Sequence, residues 1–253
     1  MIVCKSPAEI ERMRAAAALV ADVLAELAAM VAPGVSTLEL DAAAERLVRE
    51  GGAEPAFKGY RGYPNTLCAS VNEQVIHGIP TKRPLAEGDI VSLDIGVKLN
   101  GFYGDSAVTV PVGRVSDEAA RLLRVTQESL EKGIAQVRLG GRVSDIGHAI
   151  QAHVEAHGFS VVREFVGHGI GTSLHEEPQI ANYGDPGRGP RLAEGMTLAI
   201  EPMVNVGRPG VKMLSDGWTA VTRDGSLSAH FEHTVAVTKD GPLVLTRAAA
   251  RVR

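Results

Sequence analysis

The chain has 253 residues, 45% of them hydrophobic and 22% charged, with a net charge of −4 at pH 7. That length can bury a sizeable core without staples, and the mildly acidic balance argues against nucleic acid or an anionic membrane as the main ligand. Two cysteines, Cys4 and Cys68, argue against a disulfide framework and exclude a cysteine-based zinc module by count.

The first residues, Met1 to Glu11, are acidic where a signal peptide would be basic and then apolar. Ser6-Pro7-Ala8-Glu9 reads as a capping box with proline at the first helical position, opening a helix that runs to about Met30 and is ended by Pro33-Gly34. The apolar part of that helix, Ala15 to Val31, is interrupted by Asp22 and Glu26, so it is amphipathic and not a membrane span. A reducing, cytoplasmic setting follows as the expectation. Ser36-Thr37-Leu38-Glu39 is a second capping box, and its helix should stop at Gly51-Gly52. A strand-rich stretch covers roughly 66 to 113. Ser116 can then cap a helix running to about Val137, Gly140-Gly141 breaks it, and Ser144 can cap another that ends at Gly158. A second strand-rich stretch runs from about Val161 to Thr246.

Two helices followed by strands thus occur twice, and identities accompany the pattern. Leu85-Ala86-Glu87-Gly88 precedes Asp94 by the same interval that separates Leu192-Ala193-Glu194-Gly195 from Glu201. His77-Gly78-Ile79 precedes the first acid and His168-Gly169-Ile170 the second. Asp105 is followed by Ser-Ala-Val-Thr-Val, and Glu232 by His-Thr-Val-Ala-Val. Chance could supply one such match, but three in register point to an internal duplication with halves of about 1–113 and 114–253 in a single domain. The second half carries longer spacers around its acids, and these contain His175 and Trp218.

Asp89 to Gly96 alternates as a strand, with Val91, Leu93 and Ile95 on one side and Ser92, Asp94 and Gly96 on the other. Asn100-Gly101 is a strong hairpin signal. Folding about it sets 96 opposite 105 and 94 opposite 107, so Asp94 and Asp105 become diagonal neighbours on one face, with empty space expected over Gly96. Inward carboxylates without basic partners are costly. If the second half repeats the arrangement, Glu201 and Glu232 bring two more, and two divalent cations neutralise the four. An oxygen-rich set with one imidazole favours Mn, Fe(II) or Co over structural zinc. Water held between two such ions is a nucleophile near neutral pH, which implies hydrolysis.

Other signals read as structural. His153-Val-Glu-Ala-His157 places its glutamate one position late for a zincin motif, so His153, His157 and His148 read as a solvated helix face. Asp22, Glu26, Asp41 and Glu45 read as solvated helix charges. His230 and His233 flank Glu232 and read as supporting or surface residues. Gly167-His-Gly-Ile-Gly lacks the spacing of a nucleotide loop; its glycines read as room for close backbone approach. Cys68 alone is a small buried hydrophobe more readily than a nucleophile.

The stretches Tyr60-Arg-Gly-Tyr63-Pro, Val71-Asn-Glu-Gln-Val-Ile-His77-Gly-Ile-Pro80, Asp94-Ile-Gly, Gly104-Asp105, Gly167-His168-Gly-Ile-Gly171, His175-Glu-Glu-Pro-Gln, Ile200-Glu201-Pro, Asp216-Gly-Trp218 and Phe231-Glu232-His-Thr together resemble the type I methionine aminopeptidases over nearly the whole chain. The resemblance implies an α/β pita-bread fold of two pseudo-two-fold-related halves, each of two helices plus antiparallel strands. It implies removal of the initiator methionine from nascent chains, favouring a small second residue, with transient ribosome contact, a monomer, and no specific nucleic acid or membrane. It implies that Asp105 and Glu232 bridge two metal ions, that Asp94 completes one ion's shell and His168 and Glu201 the other's, and that Glu201 shuttles the proton. His77 and His175 would contact substrate; on the repeat alone His77 and His168 occupy matching places, and only the resemblance separates their roles. The methionine pocket maps onto Tyr60, Tyr63, Cys68 and Trp218 with Phe57 and Leu174, where Phe57 stands for a cysteine usual in some members and Leu174 for a common aromatic. Proline-specific peptidases share fold and metals but usually carry an extra N-terminal domain and differ around the first histidine. A metal-free binding protein on this fold would lack a ligand, and none is missing.

Overall fold

The computed structural model describes residues 1–247; the end of the second half's expected span, 248–253, lies outside the described residues. Helix α1 (Pro7–Met30) and helix α2 (Thr37–Glu50) open as the capping boxes predict: Ser6 and Ser36 each receive the third helical amide, and the Glu9 and Glu39 carboxylates accept the Ser6 and Ser36 amides, each at 2.8 Å. No helix of the described residues is long and apolar enough to cross a membrane. Strands β1 (Glu54–Pro55), β2 (Cys68–Val71), β3 (Gln74–Ile76), β4 (Ile90–Leu99) and β5 (Phe102–Pro111) follow. Next come α3 (Asp117–Ile134), capped by Ser116, and α4 (Val143–Ala156). The cap of α4 differs from expectation. Arg142 is the cap residue, because Asp145 is placed to accept its amide at 2.8 Å; Ser144 lies inside the helix and its hydroxyl instead accepts from the Arg188 amide. The chain closes with β6 (Ser160–Val161), β7 (Gly167–Gly169), β8 (Glu176–Ile180), β9 (Thr197–Ile200), β10 (Met203–Asn205), β11 (Val211–Met213), β12 (Ala220–Thr222), β13 (Ser228–His230), β14 (His233–Thr238) and β15 (Gly241–Val244).

All described strand pairings are antiparallel. In the first half β1, β4 and β2 are neighbours and β5 pairs β4; in the second, the order is β15-β14-β9-β7-β8. The β4–β5 hairpin turns on Asn100 and Gly101, at φ of 52° and 81°, the left-handed pair of a type I′ turn. Its register sets Gly96 opposite Asp105 and Asp94 opposite Ala107, as the sequence predicts.

Each sheet turns one face to its helices. Val91, Leu93, Ile95 and Val97 pack with Val20, Leu24, Leu27, Leu40 and Val48 of α1 and α2. Leu198, Ile200, Val235 and Val237 pack with Leu122, Val125, Ile146 and Ile150 of α3 and α4. Strand alternation then forces Asp94, Glu201 and Thr234 to the opposite faces, away from both helix pairs.

The matched sequences adopt matched hydrogen bonds. Gly88 donates to the Val112 carbonyl and Val112 to that of Asp89, at 2.9 and 2.8 Å; Gly195 and Val237 do the same with Val237 and Met196, at 3.0 and 2.8 Å. Leu85 exchanges bonds with Gly34 and Val35, and Leu192 with Gly140 and Gly141. The histidines do not match. Ser92 faces Ser70 and Ala199 faces His168, so aligning Asp94 with Glu201 puts Ser70, not His77, at the place of His168. His77 lies beyond β3, outside the strand that His168 occupies.

Candidate active site

The two halves meet along β5. The Glu232 amide donates to the Ala107 carbonyl at 2.9 Å, the Ser106 hydroxyl to the Glu232 carbonyl at 2.6 Å, and the Thr234 hydroxyl to the Asp105 carbonyl at 2.8 Å. This seam brings the acids of both halves to one cleft, lined by Asp94, Asp105, His168, Glu201 and Glu232 together with Phe57, Tyr60, Tyr63, Cys68, His77, Leu174, His175 and Trp218. Every residue that the sequence assigned to the site lines it.

Its polar end is short of protons and cations. Asp94 Oδ1, Asp105 Oδ1 and Glu232 Oε1 are buried with no hydrogen-bond partner. Burial pushes the Asp94 carboxyl up to about 7, and burial together with the neighbouring acids holds Asp105, Glu201 and Glu232 well above the usual carboxylate range. His168 Nδ1 donates to the Gly169 carbonyl at 2.9 Å, which fixes the tautomer and leaves the Nε2 lone pair 3.5 Å from Glu201 Oε1 and 4.0 Å from Asp105 Oδ2. Burial holds His168 down to about 4, so it is neutral and does not pair ionically with these acids. One atom each from Asp105, His168 and Glu232 converge within 4.8 Å. Orphaned anionic oxygens around an oriented imidazole are a donor set for hard divalent cations, and no Arg or Lys competes for it among the described hydrogen bonds.

Glycines bring the strands this close. A Cβ at Gly167 would strike the Ala199 carbonyl and one at Gly169 the Glu177 carbonyl, so the backbones on either side of His168 approach only because both are glycine. At Gly104 a Cβ would lie 2.9 Å from Ala17 N of α1. The space over Gly96 is not empty: it holds the ring of Phe57, whose Cε1 would lie 2.6 Å from a Cβ there.

The apolar end rests on fixed supports. Tyr63, 2% exposed, sits with its hydroxyl 3.0 Å from the Leu67 and Gly78 carbonyls and meets Trp218 edge-on at 5.2 Å. Asp216 accepts the Trp218 and Thr219 amides at 2.8 Å and so aims the indole. Burial, then the Asp94 charge, pushes the Cys68 thiol up, which suits a pocket wall and not a nucleophile. His77 has a left-handed φ of 58°, a conformation that a side-chain-bearing residue adopts only under constraint. The constraint is Gly78: its amide donates to Ser70 Oγ at 3.0 Å, and any Cβ there would strike the Ala69 carbonyl. Burial holds His77 down to about 4. His175 stands across the cleft, 2.9 Å through Nδ1 from the Tyr60 hydroxyl, with its ring 4.2 Å from that of His168. Its loop is tied down by the buried Lys5, whose ammonium pairs with Glu176.

Of the two readings left open for His230, supporting or surface, the structure selects the first: it is 2% exposed, with Nε2 3.7 Å from Glu201 Oε2. The signal was its place two residues before Glu232, where strand alternation returns to the same face. Two readings from sequence are corrected. Asp41 is not solvated: buried on α2, it accepts the Thr66 and Leu67 amides, each at 2.9 Å, and fixes the approach to Cys68. His153 and His157 are half-buried, with His153 Nε2 3.1 Å from Glu128, so they are not a solvated face; His148 is exposed as expected. Arg61, at the rim of the cleft, was not singled out by its sequence.

A model of metallopeptidase family M24 matches residues 11–239. Methionine aminopeptidase 1 of Bacillus subtilis is 56% identical over 247 residues, covering 98% of this chain and 100% of that protein. The crystal structure of methionine aminopeptidase from Thermotoga maritima is 49% identical, with a TM-score of 0.96, over 98% of this chain and 100% of that one. Prolidase from Pyrococcus furiosus, at 21% identity and a TM-score of 0.79 over 98% of this chain and 66% of its own, shares the fold alone. That fold is the pita-bread fold.

Proposed function

The chain belongs to metallopeptidase family M24, and from that premise we propose that it removes the N-terminal methionine of nascent polypeptides by hydrolysing the first peptide bond. The observation that carries the reading is the group of orphaned buried oxygens of Asp94, Asp105 and Glu232 beside the oriented His168, at the polar end of an otherwise apolar pocket. Asp94, Asp105, His168, Glu201 and Glu232 would hold two divalent ions, with Mn, Fe(II) or Co favoured by the donor set. Such ions would supply a water of lowered pKa and polarise the scissile carbonyl.

The remaining work falls to the chain's own side chains. The pocket of Phe57, Tyr60, Tyr63, Cys68, Leu174 and Trp218 takes the unbranched, flexible methionine side chain, whose sulfur packs well against aromatic edges. Glu201 accepts a proton from the attacking water and passes it to the leaving amide nitrogen, so that the C–N bond breaks as an amine departs. Neutral His77 and His175 donate ring N–H groups to the substrate and to the oxygen that becomes anionic in the tetrahedral intermediate. A small second residue, cytoplasmic action at the ribosome and a monomeric state belong to the same reading. The matched turns at Gly88 and Gly195 support a single catalytic domain built by duplication, with halves of about 1–113 and 114–253.

Purified protein supplied with Mn²⁺, Co²⁺ or Fe²⁺ should release methionine from Met-Ala peptides. Strong cleavage of Xaa-Pro peptides without methionine release would sink the reading.

A further inference from the structure

A second group of metal-binding side chains lies away from the cleft, on the outer helices of the second half. His153 and His157 are four residues apart on and just beyond α4, so they share one helix face. Glu128 of α3 faces them. One nitrogen from each ring and one Glu128 oxygen all lie within 4.8 Å of one another, and the two rings are 4.5 Å apart. None of the residues lining the catalytic cleft belongs to α3 or α4.

Two features go beyond proximity. His157 Nδ1 donates to the His153 carbonyl at 2.8 Å, so the neutral ring keeps its lone pair on Nε2. That is the backbone-carbonyl support which orients metal-ligating histidines. Glu128 divides its oxygens: Oε1 accepts from Arg124 at 2.9 Å, while Oε2 turns to His153 Nε2 at 3.1 Å. All three residues are half-buried, and the His153 side chain is only 15% exposed, so the group is partly held in place before any ion arrives.

We propose that Glu128, His153 and His157 form a surface site for Zn²⁺ that clamps the C-terminal end of α4 to α3. Two imidazoles and one carboxylate are a borderline donor set that suits zinc, with water completing four-coordination. The ion replaces the direct His153–Glu128 hydrogen bond and ties together helices that otherwise meet through side-chain packing. The site is separate in composition from the oxygen-rich cleft, which holds a single ligating histidine.

The test is equilibrium dialysis of the full-length protein against ZnCl₂ near neutral pH, followed by metal analysis and thermal melting. Wild type should retain one equivalent more zinc than His153→Ala or His157→Ala, with the cleft equally filled in all three. Zinc should raise the melting temperature of wild type by several degrees and have a smaller effect in the variants. Glu128→Gln should weaken the extra equivalent at least tenfold. His157→Asn, at the helix end, serves as a further variant whose folding circular dichroism verifies. Equal zinc content and equal thermal shift in wild type and in a folded histidine variant would show an ion pair only and overturn the proposal.

Discussion

His230 and Glu201 face each other across 3.7 Å with the imidazole fully enclosed and its Nε2 without a hydrogen-bond partner among the described residues. Burial, reinforced by His77, holds that ring down to about 3, so it stays neutral. Its backbone is fixed from the other half of the molecule, where the Thr109 hydroxyl takes the His230 amide and donates to its carbonyl, at 2.8 and 2.7 Å. A neutral ring aimed at the carboxylate proposed to carry the proton acts as a positioning group. His230→Ala should lower kcat by about 10–100-fold, the usual cost of losing such support, and leave KM nearly unchanged. His230→Gln, which keeps a polar group in the space, should recover part of the loss. Unaltered kcat in a folded His230→Ala protein would dismiss the role.

Metal removal should make stability depend on pH in a defined direction. In the fold, Asp94 is raised to about 7 and the other three acids stand well above their ordinary values, near 4 when unfolded. Groups raised in this way penalise the folded state above their folded pKa, where they are charged. The penalty fades as pH falls from the folded pKa toward the unfolded one. Chelated protein should therefore melt at a higher temperature at pH 6 than at pH 8, whereas protein saturated with Mn²⁺ should lose most of that difference. The buried neutral histidines His77, His168 and His230, held down to about 4, 4 and 3, act in the opposite sense below pH 7, so a chelated protein more stable at pH 8 would show that they outweigh the four carboxyls.

Much of this site was legible because strand alternation is a local rule. Val91, Leu93 and Ile95 on one face fix Asp94 on the other, and Asn100-Gly101 fixes the register that carries Asp105 to its side. The misreadings share a different origin, since each depended on what another segment supplies. Asp41 looks like one more helix charge until the Thr66 and Leu67 amides arrive beside it. The equivalence of His77 and His168 rested on a shared tripeptide, but pairing partners set position in a sheet, and those partners place Ser70 there. Phe57 fills the space above Gly96 from a segment that pairs only briefly with β4.

Asp41 also supports a stability prediction. Replacing it with alanine leaves the Thr66 and Leu67 amides and the Asn65 side chain without their buried acceptor. Each such loss costs about 1–3 kcal/mol. Asp41→Ala should therefore lower stability by about 3 kcal/mol in denaturant titration. Because Cys68 and Tyr63 adjoin the same segment, KM for methionyl peptides should rise with it. A stability change within about 0.5 kcal/mol would show that the buried carboxylate is dispensable.

In the proposed mechanism Glu201 transfers the proton and His77 stabilises developing charge, and two substitutions separate those parts. Glu201→Gln keeps the shape of the side chain but cannot carry a proton, so it should lower kcat by about 10²–10⁴-fold. Manganese or cobalt content should be followed in parallel, because the amide also weakens a ligand. His77→Ala removes no proposed ligand. It should lower kcat by about 10²–10³-fold through loss of one donor to the developing oxyanion, with full metal content retained. It also relieves the left-handed strain at φ 58° only slightly, since alanine carries the same Cβ, so the fold should survive. A His77→Ala protein that loses its metals would move His77 into the ligand set, and one with normal kcat would remove it from the reaction.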